Sequence, residues 1–126
     1  MTKYPGEPTT SEAAEEVARL IGARLESVAF VVNYLQLDFS GCLSLTLLVW
    51  PEVHLAGETL ATGTPGYNDA LCALIQSVVT GVTTDGCETI CITFDSGAEL
   101  NVLLRPVPLC GERLMLNGPE HYLFVW

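Results

Sequence analysis

The sequence predicts an α+β fold: two α-β-β-β pseudo-repeats related by an approximate twofold, forming an antiparallel sheet with helices packed on it. Three observations carry this. Residues 20–65 and 74–119 align with a shift of 54 or 55, giving twelve identities, where chance in so apolar a chain gives about three or four. Leu20, Ile21 and Val28 match Leu74, Ile75 and Val82, and Phe39, Leu45, Leu48 and Pro51 match Phe94, Leu100, Leu103 and Pro106. Leu55, Gly57, Glu58, Leu60 and Pro65 then match Leu109, Gly111, Glu112, Leu114 and Pro119. The second observation is that apolar spacing is helical at the head of each copy and alternates with period two after it. The third is that glycine turns separate the alternating runs, while Pro51 and Pro106 close the long ones, because proline cannot donate to a sheet ladder.

Residues 1–9, with Pro5, Gly6 and Pro8, read as a disordered tail. Residues 10–126 read as a single domain built of repeats at about 11–66 and 67–126. Thr9-Thr10-Ser11-Glu12 offers a capping box, and Ala13, Val17, Leu20 and Ile21 follow at helical spacing, which predicts a helix over 11–24. Glu15 stands four residues before Arg19, the favoured orientation of a helix-surface ion pair. The second helix is expected to start between 64 and 68 and to pack Leu71, Leu74, Ile75 and Val78.

Strands are expected at 26–32 and 80–84, the latter closed by Asp85-Gly86. Leu35, Leu37 and Phe39, then Leu43, Leu45, Leu47 and Val49, form a hairpin around Ser40-Gly41 with one buried face. Ile90, Ile92 and Phe94, then Ala98, Leu100, Val102 and Leu104, repeat it around Asp95-Ser96-Gly97. Val28, Phe30 and Val32 lie on the opposite parity from Leu35, Leu37 and Phe39, so a turn or bulge near Asn33 must reverse the register. Short segments follow at 58–62 and 112–116, and a last strand at 122–126.

Fifteen acidic against five basic residues give a formal charge of -10, which opposes phosphate backbones and anionic membrane surfaces and so argues against nucleic acid as a partner. No run approaches the roughly 18 apolar residues of a membrane helix. Hydrophobic residues make up 49% of the chain and mean hydropathy is +0.38, which favours an apolar surface closed by self-association into a homo-oligomer, most simply a dimer. The cysteines, Cys42, Cys72, Cys87, Cys91 and Cys110, are odd in number, and with no signal peptide ahead of them they suggest a reducing cytoplasm with thiols as small buried apolar groups.

Chemistry-bearing patterns are sparse. Cys87-x-x-x-Cys91 lacks the second pair of a zinc knuckle, and no nucleophile elbow, phosphate-cradling loop or dinucleotide fingerprint is present. No catalytic, metal or cofactor site is therefore expected. Candidate partner-binding residues are Glu12, Glu15 and Glu16 on the outer face of the first helix, and Trp50, Glu52 and His54 after the first long strand. His121, Tyr122, Phe124 and Trp126 at the chain's end complete the set. An enzyme would have to use Glu52 with His54 or Glu120 with His121. The pattern of Leu-Ile, then valine, then a strand ending in phenylalanine and a glycine turn resembles that of small bacterial accessory and immunity-type proteins. The resemblance is carried by core and turn residues and implies no activity or site. The expected function is a small acidic, non-catalytic interaction protein of the immunity or antitoxin kind, with a small-molecule module holding a pocket between repeats or subunits, or an enzyme without a recognisable motif, as the alternatives.

Overall fold

The computed structural model describes residues 10–84, 89–103, 114–119 and 122–125. They form an α+β fold of mostly antiparallel sheet with two short helices. Helix α1 (Thr10–Val17) runs into a 3-10 turn, Ala18–Leu20, followed by β1 (Leu25–Val31), β2 (Tyr34–Phe39), β3 (Leu43–Leu47), β4 (Glu52–Leu55) and β5 (Glu58–Leu60). Helix α2 (Tyr67–Cys72) opens the second run: β6 (Val79–Thr84), β7 (Thr89–Phe94), β8 (Glu99–Leu103), β9 (Leu114–Asn117) and β10 (Leu123–Val125).

The single sheet expected from the sequence is two sheets. One has the order β1-β2-β3-β9-β10, and the other, read from its β6 edge, β6-β7-β8-β4-β5. Each three-stranded meander is thus completed by the last two strands of the other half. β3 ends at Leu47, short of the expected stop at Pro51, which is buried just ahead of β4 where the chain crosses to the second sheet. The Tyr67 hydroxyl, at the start of α2, donates to the Pro51 carbonyl at 2.6 Å and fixes that crossing.

Alternation buries one face of each sheet against a common core. Leu35, Leu37, Leu45, Leu47 and Leu116 from one sheet join Ile90, Ile92, Leu100 and Val53 from the other, all with no exposed surface. Burying each such side chain contributes about 1.5–3 kcal/mol. Helix α1 lies against β6 and β7, and α2 against β4 and β1, adding Ala13, Val17, Leu71 and Leu74 to the same core.

Both helices are shorter than their apolar spacing suggests, because the segments that follow are needed elsewhere. Residues 22–25 and 76–79 run antiparallel to each other. The Gly22 amide donates to the Val79 carbonyl (2.8 Å) and the Gln76 amide to the Leu25 carbonyl (2.7 Å). The Val79 amide donates to Ala23 and the Leu25 amide to Ser77, each at 2.9 Å. Turning out of the helix into this crossing requires a left-handed residue, Gly22 at φ +90 and Gln76 at φ +81. The turn also explains the Leu-Ile pairs: Leu20 and Leu74 are fully buried, whereas Ile21 and Ile75, placed beyond the helical segments, are 49% and 36% exposed.

The hairpin from β1 to β2 turns on Val32-Asn33, with Val28 opposite Leu37 and Phe30 opposite Leu35. This two-residue turn accounts for the change of parity, and the bulge lies instead between Leu25 and Ser27. A matching irregularity between Val79 and Gly81 brings the backbone so close to β7 that a Cβ on Gly81 would sit 2.9 Å from Thr93 Oγ1. The final identities of the sequence alignment do not fall at corresponding places. Leu60 is on edge strand β5, but Leu114 is on β9 beside β3. Instead Leu45 faces Leu116 as Leu100 faces Val53, because the stretch from Leu103 to Leu114 is longer than that from Leu47 to Glu52. The expected turn at Asp85-Gly86 and the closing Pro106 lie outside the described residues.

A left-handed conformation costs a side-chain-bearing residue about 1–2 kcal/mol, and glycine's extra backbone freedom returns about 0.5–1 kcal/mol of that. Gln76→Gly is therefore expected to stabilise the fold by about 0.5–1 kcal/mol, measured as a higher denaturant midpoint at unchanged slope. A lower midpoint would show that the glutamine side chain makes a contact that matters more than its backbone.

Candidate functional site

The outward faces of the two sheets collect the polar residues that alternation excludes from the core. On the first sheet, Asp38 is the centre. Ser27 Oγ donates to its carboxylate at 2.8 Å and Gln36 Nε2 at 3.0 Å. Burial acts to raise the Asp38 pKa, but hydrogen bonds from Gln36, Ser27 and Ser44 outweigh it and hold the group below its ordinary value. The carboxylate is a satisfied acceptor that ties three strands together.

On the second sheet, register sets Thr93, Glu99, His54 and Thr59 in one row across β7, β8, β4 and β5. Cys91, Asn101 and Glu52 form the neighbouring row. His54 Nδ1 lies 2.9 Å from Thr59 Oγ1, and the Cys91 thiol points to Glu99 Oε1 at 3.6 Å. Burial, then the charge and hydrogen bond of Glu99, push the Cys91 thiol up, which suppresses the thiolate a nucleophile would need. Among the described residues no group of three acidic, histidine or cysteine side chains could hold a metal ion.

The corners where helix meets hairpin differ more. In the α1 corner, Tyr122 fills the space at the end of β9 and β10. The Gly118 amide donates to the Tyr122 carbonyl (3.0 Å), the phenol donates to Glu16 Oε1, and the Arg19 guanidinium lies 4.0 Å over the ring. Arg19 Nε also donates to Glu16 at 3.0 Å. In the α2 corner, beside the end of β4 and β5, an open depression of about 340 Å³ remains. Leu55, Leu60, Ala70 and Ala73 line it, and the exposed carboxylates Glu58 and Asp69 flank it.

The residues singled out from the sequence are scattered. Glu12 and Glu15 are exposed on α1, but Glu16 is half-buried and engaged by Tyr122 and Arg19. The ion pair of Arg19 is thus with Glu16, three residues away, rather than with Glu15. Glu52 and His54 share the outer face of β4. Trp50 lies beyond the end of β3 and is half-buried against the core. Phe124 faces inward opposite Leu116, while Leu123 and Val125 are exposed. His121, Trp126 and Glu120 lie outside the described residues, as do Cys87 and Cys110. The expectation of buried thiols fails at Cys42 and Cys72, which are exposed, and at Cys91, which is intermediate. Cys42 sits in a hairpin turn at φ +63 and Cys72 ends α2 on its outer side. Glu58, Asp69 and Glu99 carried no motif. Glu99 could have been found from the outward parity of its strand, but Asp69 and Glu58 acquire meaning only from the docking of α2 on the hairpin.

No protein-family model matches the chain, and no match is found among curated proteins or solved structures.

Under native conditions at mildly alkaline pH, Cys42 and Cys72 are expected to alkylate well before Cys91, whose thiol is both less accessible and harder to ionise. Peptide mass spectrometry of a time course with iodoacetamide reads the order directly, and equal rates at all three would contradict the described thiol environments.

Proposed function

We propose that the chain is a non-catalytic, acidic interaction protein of the immunity or antitoxin kind, acting in the cytoplasm and binding a basic protein partner rather than nucleic acid. The carrying observation is how its charge is held. The two basic side chains among the described residues, Arg19 and Arg24, are each already paired with a glutamate, Glu16 and Glu26. Exposed Glu15, Glu58 and Asp69 then present negative charge from a chain whose formal total is -10. Such a surface speeds encounter with a positive one and slows approach to phosphates. Free thiols at Cys42, Cys72 and Cys91 support the reducing compartment. A small-molecule module is the second reading, favoured by the depression beside α2, whose volume is at the lower end of ligand pockets.

We further propose that the two halves are a duplication related by an approximate twofold, each lending its last two strands to the other. The matching strand orders and the reciprocal hydrogen bonds of residues 22–25 and 76–79 support this. An experimental structure in which 20–47 and 74–102 fail to superpose would overturn it. Self-association into a dimer is supported by β1, an edge strand whose end exposes Phe30, Val31 and, at 92%, Val32. Long apolar edges of this sort pair with other chains unless charge blocks them.

Two measurements follow. Once a protein partner is isolated, Glu12→Lys with Glu15→Lys, or raised salt, should slow its association on the order of tenfold while dissociation changes little. Association indifferent to both would remove the electrostatic reading. In sedimentation at micromolar concentration the protein should run as a dimer and Val32→Lys as a monomer with an unchanged circular dichroism spectrum. A wild-type monomer would end the dimer proposal.

A further inference from the structure

We infer that the depression between α2 and the hairpin of β4 and β5 is the docking site for a cationic side chain, arginine or lysine, beside an apolar or aromatic neighbour on a protein partner. The inference rests on the acidic-interaction reading and adds where, and by what chemistry, the partner is held.

The molecule contains its own template for the occupant. At a shift of 54, Glu16 of α1 and Arg19 of the turn after it stand where α2 has Ala70 and, just beyond its end, Ala73. The hairpins match as well: Gly118 and Tyr122 follow Asn117 and precede Leu123 at the end of β9 and β10, as Leu55 and Glu58 pair at the end of β4 and β5. In the α1 corner glycine makes room for an aromatic ring. A Cβ on Gly118 would meet the Tyr122 ring at 3.2 Å, and the ring is covered by a guanidinium and hydrogen-bonded to a carboxylate. The corner is thereby closed from within by an aromatic group, a cation and an anion.

In the α2 corner none of the three groups recurs at its corresponding place, and two other carboxylates, Glu58 and Asp69, flank the space instead. Alanine at 70 and 73 leaves the floor of Leu55 and Leu60 uncovered, and Glu58 and Asp69 stand beside it exposed. A space of about 340 Å³ accepts one or two large side chains, and an arginine stem over aliphatic carbon with its fork toward carboxylates is the complementary filling. An aromatic neighbour would reproduce the stacking that Tyr122 and Arg19 make in the other corner.

The test is a nitrogen-15 NMR titration of the full chain with the peptide acetyl-Gly-Arg-Trp-Arg-Gly-amide and with its counterpart carrying glutamate in place of both arginines. The arginine peptide should shift Leu55, Leu60, Ala70 and Ala73 selectively, and the glutamate peptide should not bind. Ala73→Arg, which fills the groove from just beyond its own helix as Arg19 does, should weaken binding about tenfold, and Asp69→Asn severalfold with the remaining spectrum unchanged. Should Ala73→Arg disturb the fold, the surface variant Asp69→Asn decides alone. Shifts spread over Glu12 and Glu15, insensitive to both variants, would overturn the groove and leave the acidic-surface reading standing. Absence of binding by either peptide would also overturn the groove, whereas failure of the broader reading would show in a partner's indifference to salt.

Discussion

The rest of the structure hangs on the antiparallel crossing of residues 22–25 with 76–79. Four backbone hydrogen bonds of 2.7–2.9 Å join two segments distant in sequence, and each segment lies between a helix and the first strand of a meander. Backbone amides that leave a helix need new acceptors, and here each segment supplies the other's. The crossing sets where both helices stop, which leucine of each Leu-Ile pair is buried, and where β1 and β6 begin. It also reaches the hairpin turns: the Ser40 amide donates to Arg24 and the Asp95 amide to Val78, each at 2.8 Å. The side chains of Ser40 and Asp95 in turn accept from the amides of Arg24 and Val78.

Much of this was legible in sequence where a local rule governs it. Parity in Leu35, Leu37 and Phe39, and again in Ile90, Ile92 and Phe94, named core residues that are 3% exposed or less, because alternation needs only one wet face. Helix ends were less legible: Gly22 is a local stop signal that apolar spacing outvoted, and the backbone partners that fix the end lie more than fifty residues away. The exchange of β4 and β5 against β9 and β10 was invisible for the same reason. Pro51 announced a break in the strand, but β3 already stops at Leu47, and nothing local says which sheet the chain joins next.

Legibility of the site followed the same division. The sequence places Glu52 and His54 in a loop after Pro51, whereas the structure sets them on the outer face of β4, whose pairing with β8 no local pattern announces. Glu12 and Glu15 are exposed as their helix phase suggests, but Glu16 was drawn inward by Tyr122, more than a hundred residues later. The cysteines misled because thiols are commonly buried, whereas Cys42 occupies a left-handed turn position and is exposed there. Glu58 and Asp69 come together only through tertiary packing, so no spacing rule could have paired them.

The exchange of terminal strands between the sheets has a consequence for synthesis. Strands β4 and β5 leave the ribosome long before β8, the only neighbour that joins them to their sheet among the described residues, and β3 waits still longer for β9. During that interval the nascent chain carries apolar strands paired along one edge only, those of Leu47 and Val53, because the neighbours for the other edge have not been made. Contacts of such sequence separation slow folding and leave intermediates open to association with other chains. The surplus of negative charge does nothing to shape the core, but like charge on every copy opposes such association.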